Sequence, residues 1–272
     1  MENLYQDPEH LRHLNPRKIR VIKAKARENL LGNYGPIIGG TLLISVIFSI
    51  LNSFLSLGSN NPMQYVIFYA ADFIIAMLIQ FFYVGIYAMH LNAARGQAST
   101  ISELFYPIKN GTNRFLGVAV VMTLISLIQG IPQILLLNQF DFVSMLYGDM
   151  PEPNVSRIFV LSILTIIGAI ISIYLYFTFI LSSYFLMDNP QMSAKDALIQ
   201  SYRHMKGNKF RLLLQQLSFI GLYLLGLLTL GIAYLWITPY RDQAVTVFYE
   251  TLTGFKQAPS STGEDCISEN RN

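Results

Sequence analysis

Charged and amide side chains inside long apolar stretches are the positions where this sequence could do chemistry. Asp72 stands alone among apolar neighbours, and a carboxylate there could bind a cation or relay a proton. Its place nine residues into its run instead puts it at a headgroup boundary, because the remainder of the run is still long enough to span. Gln80, Gln129, Gln133, Gln215 and Gln216 are amides that could line a polar path. They also suit interhelical hydrogen bonds that tie helices together. Arg241 and Asp242 are adjacent, so on a helix they are expected not to face each other. They need partners or water if embedded, and nothing if they lie at an interface.

A second group is cationic. Arg17, Lys18, Arg20, Lys23, Lys25 and Arg27 follow one another without an acid between them. Lys206, Lys209 and Arg211 form a smaller set. Beside a bilayer such clusters attract anionic headgroups, at about 1 kcal/mol per cation near the surface. Topology determination alone suffices to explain them, and docking of a membrane-protein partner or a second copy is an additional possibility.

Catalytic and metal signatures are absent from the sequence. There is no phosphate-binding glycine loop, no dinucleotide fingerprint, no H-E-x-x-H and no G-x-S-x-G. Glu9, His10 and His13 could offer ligands on one turn, but they read as a solvated face. Neither cofactor nor metal is expected, and the chain is expected not to be an enzyme. The single cysteine, Cys266, cannot form an intramolecular disulfide.

The elements that position these residues are helices in a membrane. Of 272 residues, 53% are hydrophobic and 13% charged, about half the charge of a soluble domain. Mean hydropathy is +0.42. This composition excludes a disordered chain and a nucleic-acid-binding tail. Five runs are long and apolar enough to cross a hydrocarbon core that needs about 20 helical residues. They lie near 34–57, 63–91, 115–138, 158–187 and 212–230. A sixth, poorer segment, 231–252, follows a possible break at Thr229-Leu230-Gly231. The alternative is one long helix ending at Pro239, followed by a surface helix. Gly130 and Pro132 predict a kink in the third run. Gly35 and Gly39 form a G-x-x-x-G that predicts close helix packing.

Lys and Arg alternate between connections. Residues 1–33 hold seven, 92–114 hold Arg95, Lys109 and Arg114, and 188–211 hold five. The segment 58–62 holds none, and 139–157 holds only Arg157. The basic connections are therefore expected in the cytoplasm. Each also reads as a short amphipathic helix that stops at glycine and asparagine: Gly32-Asn33, Asn110-Gly111 and Gly207-Asn208. On the third of these, Ala194, Ala197, Leu198, Ser201 and Met205 share one face. A repeat of surface helix plus two-span hairpin favours six segments, with both termini cytoplasmic. The expected organisation is a basic segment 1–33 without a cleavable signal peptide, a membrane domain 34–254, and a disordered polar tail 255–272. The fold class is all-α, a polytopic transmembrane helix bundle.

From residue 197 to 250 the motifs Ser201-Tyr202, Met205-Lys206-Gly207-Asn208-Lys209, Leu228-Thr229-Leu230-Gly231-Ile232, Leu235-Trp236, Pro239-Tyr240 and Phe248-Tyr249-Glu250 follow in order. With Leu31-Gly32-Asn33-Tyr34 ahead of the first span, this resembles the bacterial integral membrane family known as domain of unknown function 975. The layout is more distantly similar to the membrane domain of some glycerophosphodiester phosphodiesterases, whose catalytic domain has no counterpart here. The resemblance implies a bacterial plasma-membrane location and brings no activity, ligand or catalytic residue. Two functions are consistent with these features. One is a non-enzymatic scaffold or accessory subunit of a membrane complex. The other is a lipid- or solute-handling, transporter-like protein, suggested by the repeat, the glycine break and the embedded amides.

Overall fold

A computed structural model of the chain describes residues 19–55, 62–137 and 155–254. Arg17, Lys18, the Glu9-His10-His13 group, most of the two acidic or uncharged connections and the polar tail lie outside the described residues. Among those described, all regular structure is helical. Five helical stretches are long and apolar enough to cross a membrane: Tyr34–Ser53, Tyr69–Ala94, Thr112–Gln133, Val155–Asp188 and Lys209–Leu228. Their outward faces agree with that reading. Phe159, Ile166, Ile170 and Tyr174 are each at least 58% exposed, an apolar face of the kind that a membrane or a partner covers.

The helices repeat three times. The first unit is α1 (Ile19–Leu30), α2 (Tyr34–Leu55) and α3 (Pro62–Ala94). The second starts with a 3-10 turn (Ile101–Phe105) and the short α4 (Tyr106–Lys109), then α5 (Thr112–Leu137), α6 (Val155–Phe179) and α7 (Ser182–Asp188). The third is α8 (Ala194–Met205), α9 (Lys209–Leu217), α10 (Ile220–Leu228) and α11 (Tyr234–Thr253). The repeat extends to single atoms. Gly32, Gly111 and Gly207 all sit at positive φ, 82°, 104° and 84°, where a Cβ would be strained. Beside each, an asparagine Nδ2 donates to the carbonyl four residues back. Asn33 reaches Asn29 O at 3.2 Å, Asn110 reaches Tyr106 O at 3.0 Å, and Asn208 reaches His204 O at 2.9 Å. Asn33 and Asn208 thereby reach carbonyls that the ending helix leaves open, while Tyr106 O also accepts the Asn110 backbone amide.

Each basic surface element packs on the hairpin of another unit, in a cycle. The 3-10 turn lies on α3, α8 lies on α5, α6 and α7, and α1 lies on α11. The buried face of α8 is Ala197, Ser201 and Met205, three of the five residues whose spacing marks that face. Ser193 caps it, accepting from the Asp196 amide at 3.2 Å and donating to the Asp196 carboxylate at 2.7 Å. The three basic connections meet at one end of the bundle, called here the basic end. The Ser99 amide donates to Asn33 Oδ1 at 2.8 Å, and Arg114 donates to Asn189 O at 3.0 Å.

Several details differ from expectation. The fourth run breaks at Ile180–Leu181 into α6 and α7. The fifth has an unexpected break at Ser218–Phe219, whereas its break at 229–233 falls at the Thr229-Leu230-Gly231 site offered by the sequence, with Leu230 and Gly231 both at positive φ, 52° and 92°. Pro239 does not end a helix but lies inside α11. The pair Gly35 and Gly39 makes no tight helix contact: a Cβ on Gly35 would meet nothing within 4 Å. Close packing falls instead on Gly85, against the backbone of Glu103 and Leu104, and on Gly168, against Ile128 O. A Ser172 hydroxyl donating to Ile125 O at 2.9 Å joins the same α5–α6 contact.

Candidate functional site

The last helix is the least apolar of the long ones, yet it is the most enclosed. Every residue of α11 from Asp242 to Glu250 is buried. A helix buried on all faces is normally apolar all round. Here Asp242, Gln243, Thr246, Tyr249 and Glu250 are polar, so each needs a partner to offset its desolvation.

The partners come from α3, α7 and α10. Nearest the α10–α11 turn, Arg241 pairs with Asp242 through Nε at 2.8 Å and Nη2 at 2.7 Å, and its Nη1 donates to Tyr223 Oη at 3.1 Å. Adjacency therefore did not keep the two charges apart. The arginine stem is long enough to fold back over the next residue, and poor solvation makes that pairing worthwhile. One residue on, His90 Nδ1 donates to Gln243 Oε1 at 2.7 Å, while Gln243 Nε2 donates to His90 O at 3.2 Å. Thr246 gives its proton to Asp242 O, so Tyr184 Oη donates to Thr246 at 3.0 Å. At the basic end, Asp188 accepts from Tyr249 Oη and from Arg95 Nη2, both at 2.6 Å. Arg95 Nε lies 3.8 Å from Glu250 Oε1. Tyr184 stacks on Tyr249 with ring centroids 5.0 Å apart, and Tyr87 leans on Tyr184 at 5.5 Å. Asp188 marks the end of α7 and Arg95 follows α3, so these contacts bring α11 back to the basic end.

A cleft of about 360 Å³ opens beside the first of these pairs. Tyr87, Tyr176, Tyr184, Gln216, Arg241 and Asp242 supply its polar atoms. Ile173, Phe177, Ile180, Leu213, Leu217 and Val245 supply an apolar wall. A second cavity, about 740 Å³, lies along a different face of α11 between α1 and α10. Arg20, Lys23 and Arg27 line it. Lys23 Nζ donates to Ser218 O at 3.0 Å and sits 4.3 Å from the Phe219 ring centroid. Partial burial, and after it the Arg27 charge, pull the Lys23 ammonium below the usual lysine range.

The structure therefore gathers some of the sequence-marked residues and scatters others. Arg241, Asp242 and Gln216 share the cleft. Gln215, one residue away, is fully buried, and neither of its amide atoms has a protein partner. Gln129 is half-buried and Gln133 exposed, both on α5, which is not substantially packed on α9, so the amides form no common path. Asp72 is half-buried and about 27 Å along α3 from His90 at 1.5 Å per residue, away from the polar assembly. Among the described residues no group of acids, histidines and cysteines has metal-binding geometry. Of the cations, Arg20, Lys23 and Arg27 line the groove, and Lys206 is exposed. Lys25 lies close enough to the Glu250 carboxylate to act on its charge. Lys209 and Arg211 are half-buried and each lies over a ring: Lys209 Nζ is 3.6 Å from the Tyr174 centroid and the Arg211 guanidinium 4.9 Å from that of Phe248.

His90, Arg95, Tyr184, Asp188, Gln243, Tyr249 and Glu250 were not marked from the sequence. One signal was available. Arg95 and Asp188 each close an apolar run at the same end of the bundle, and opposite charges so placed can pair.

A family model described as "Protein of unknown function (DUF975)" matches residues 18–256. No curated protein and no solved structure matches the chain.

Proposed function

We propose, from the premise that the chain belongs to the DUF975 family, that it is a non-enzymatic membrane protein that holds a lipid or other amphiphilic solute in the cleft beside Arg241 and Asp242. The observation that supports this reading is the position of that ion pair. It forms part of the lining of a cavity whose other lining residues include Ile173, Phe177, Ile180, Leu213, Leu217 and Val245. A buried ion pair adds little net stability compared with apolar residues of the same volume. Its presence at a cleft is explained if it orients a polar group of a guest whose remainder is apolar. The cavity falls in the range of small-molecule sites, about 300–1,000 Å³.

In this reading the membrane is the bacterial plasma membrane. The basic end faces the cytoplasm, as the lysine and arginine bias requires, and both termini lie there.

Purification in gentle detergent followed by native mass spectrometry tests the proposal. A small amphiphile should accompany the wild-type chain and be missing from R241M/D242L. The double substitution removes both charges, so no orphaned charge is left to unfold the protein. An empty wild-type protein, or a guest retained by the double variant, would sink the reading. A stoichiometric protein partner or a second copy in its place would support the accessory-subunit role, which the three basic elements gathered at one end favour.

A further inference from the structure

The groove between α1 and the α10–α11 hairpin is separate from the cleft, and nothing argued for the cleft depends on it. Its cationic wall is Arg20, Lys23 and Arg27. Their spacing of three and four residues puts them on one face of α1. The helix itself is held in place: Ile22, Ala26 and Leu30 are fully buried, and Tyr240 Oη donates to Lys23 O at 3.2 Å. Lys23 uses its own ammonium to bridge to Ser218. Arg20 and Arg27 are exposed on either side of it. Neither forms an ion pair with a described residue, and no carboxylate lines the groove. Among the described residues, three like charges are thus held together without a counter-charge in the groove.

The facing wall is apolar. Leu222, Leu225, Trp236 and Ile237 form it. It continues outward into Leu224, Leu227 and Leu228, which are 59%, 69% and 80% exposed. That outer surface is of the kind the spans present to hydrocarbon. The groove therefore joins a cationic rim to a lipid-facing slope.

We infer that this groove is a binding site for one anionic phospholipid, with the headgroup phosphate between Arg20 and Arg27 and an acyl chain along Leu222, Leu225 and Trp236. Guanidinium groups bind phosphate in forked pairs, and basic pockets between membrane helices recognise anionic headgroups. A free anion would engage the rim and leave the apolar wall bare. A zwitterionic lipid would fill the wall and leave two cations unneutralised. An anionic phospholipid meets both requirements.

Trp236 is the only tryptophan in the chain, so its fluorescence reads this groove alone. The full chain is reconstituted into vesicles that mix phosphatidylcholine with phosphatidylglycerol, one of the two carrying brominated chains. Quenching then gives the relative binding constant of the two lipids at Trp236. Phosphatidylglycerol should be favoured by about tenfold or more at low salt, from two unneutralised cations at about 1 kcal/mol each. The preference should collapse toward one in R20Q/R27Q. It should survive in R20K/R27K, in R203Q/K206Q, whose cations lie elsewhere, and in R241M/D242L, which separates this site from the cleft. Millimolar inorganic phosphate should leave it unchanged. Equal quenching by both lipids in the wild type overturns the inference without recourse to any variant. So does a preference that persists in R20Q/R27Q, or one abolished by inorganic phosphate.

Discussion

Gln243 and His90, 153 residues apart in sequence, hold each other by two hydrogen bonds in the buried centre of the bundle. The amide is matched to both the ring and the backbone of its partner, so it ties α11 to α3 at one register. The Gln243 carbonyl requires the ring proton of His90 to sit on Nδ1. Q243L should remove both bonds and leave the His90 ring donor unmet in a buried site, while the His90 carbonyl keeps its helical bond within α3. The expected loss is about 1–3 kcal/mol of stability, read as a lower unfolding midpoint in detergent. H90A combined with Q243L should cost less than the sum of the two single changes. Strict additivity would show that the pair does not act as a unit.

The five spans could be read from the sequence because a hydrocarbon core imposes a length and a composition that few other settings do. The three glycine–asparagine stops could be read as well, since positive φ favours glycine and an asparagine amide reaches back one turn. The docking of α1 on α11 could not. Ile22, Ala26 and Leu30 form the same stripe whether a helix lies on lipid or on protein. Nor could the centrality of α11. Its mixed residues, Gln243, Thr246 and Glu250, read as a poor span or a surface helix until the partners on α3 and α7 are known. Those partners are distant in sequence, and no periodicity encodes them. Arg241 and Asp242, adjacent in sequence, were expected not to face each other, and the fold-back of the arginine stem that joins them is not visible in helical spacing.

Asp188 carries more of the basic end than its neighbours do. It takes a proton bond from Tyr249 and an ion pair from Arg95, and its side chain is 6% exposed. Y249F should cost about 1 kcal/mol, since Arg95 still satisfies the carboxylate. D188A should cost more, about 2–3 kcal/mol, because it leaves the Tyr249 hydroxyl without its acceptor and removes the shorter of the two ion pairs of Arg95, keeping only the 3.8 Å contact to Glu250. Chemical unfolding of the two variants should rank them in that order. The reverse order would mean that Arg95 is solvated without Asp188.

Glycine substitutions should divide by position and not by motif. In G85A the new methyl would stand 2.5 Å from Leu104 Cα and 2.7 Å from two backbone oxygens, so the 3-10 turn must move. In G168A it would stand 2.7 Å from Ile128 O. Backbone cannot yield as a side chain can, and both variants should lose folded yield in size-exclusion profiles. G35A and G221A meet nothing within 4 Å. They should be neutral or stabilising by about 0.5–1 kcal/mol, through helix propensity alone. A severe G35A phenotype would restore the G-x-x-x-G as a contact surface, most simply one between two copies.

Orientation can be tested without engineering, because Cys266 is the only cysteine. Helix α11 ends with Glu250 near Arg95, and Gly254 then takes a left-handed conformation, φ 70°, that closes the helix. The described chain therefore ends at the basic end, the end proposed above to face the cytoplasm. A membrane-impermeant maleimide should not label Cys266 in intact cells and should label it fully once the membrane is opened. Labelling from outside would leave the internal arrangement of α3, α7 and α11 unchanged. It would invert the whole bundle in the bilayer, and with it the leaflet from which Arg20 and Arg27 draw their lipid.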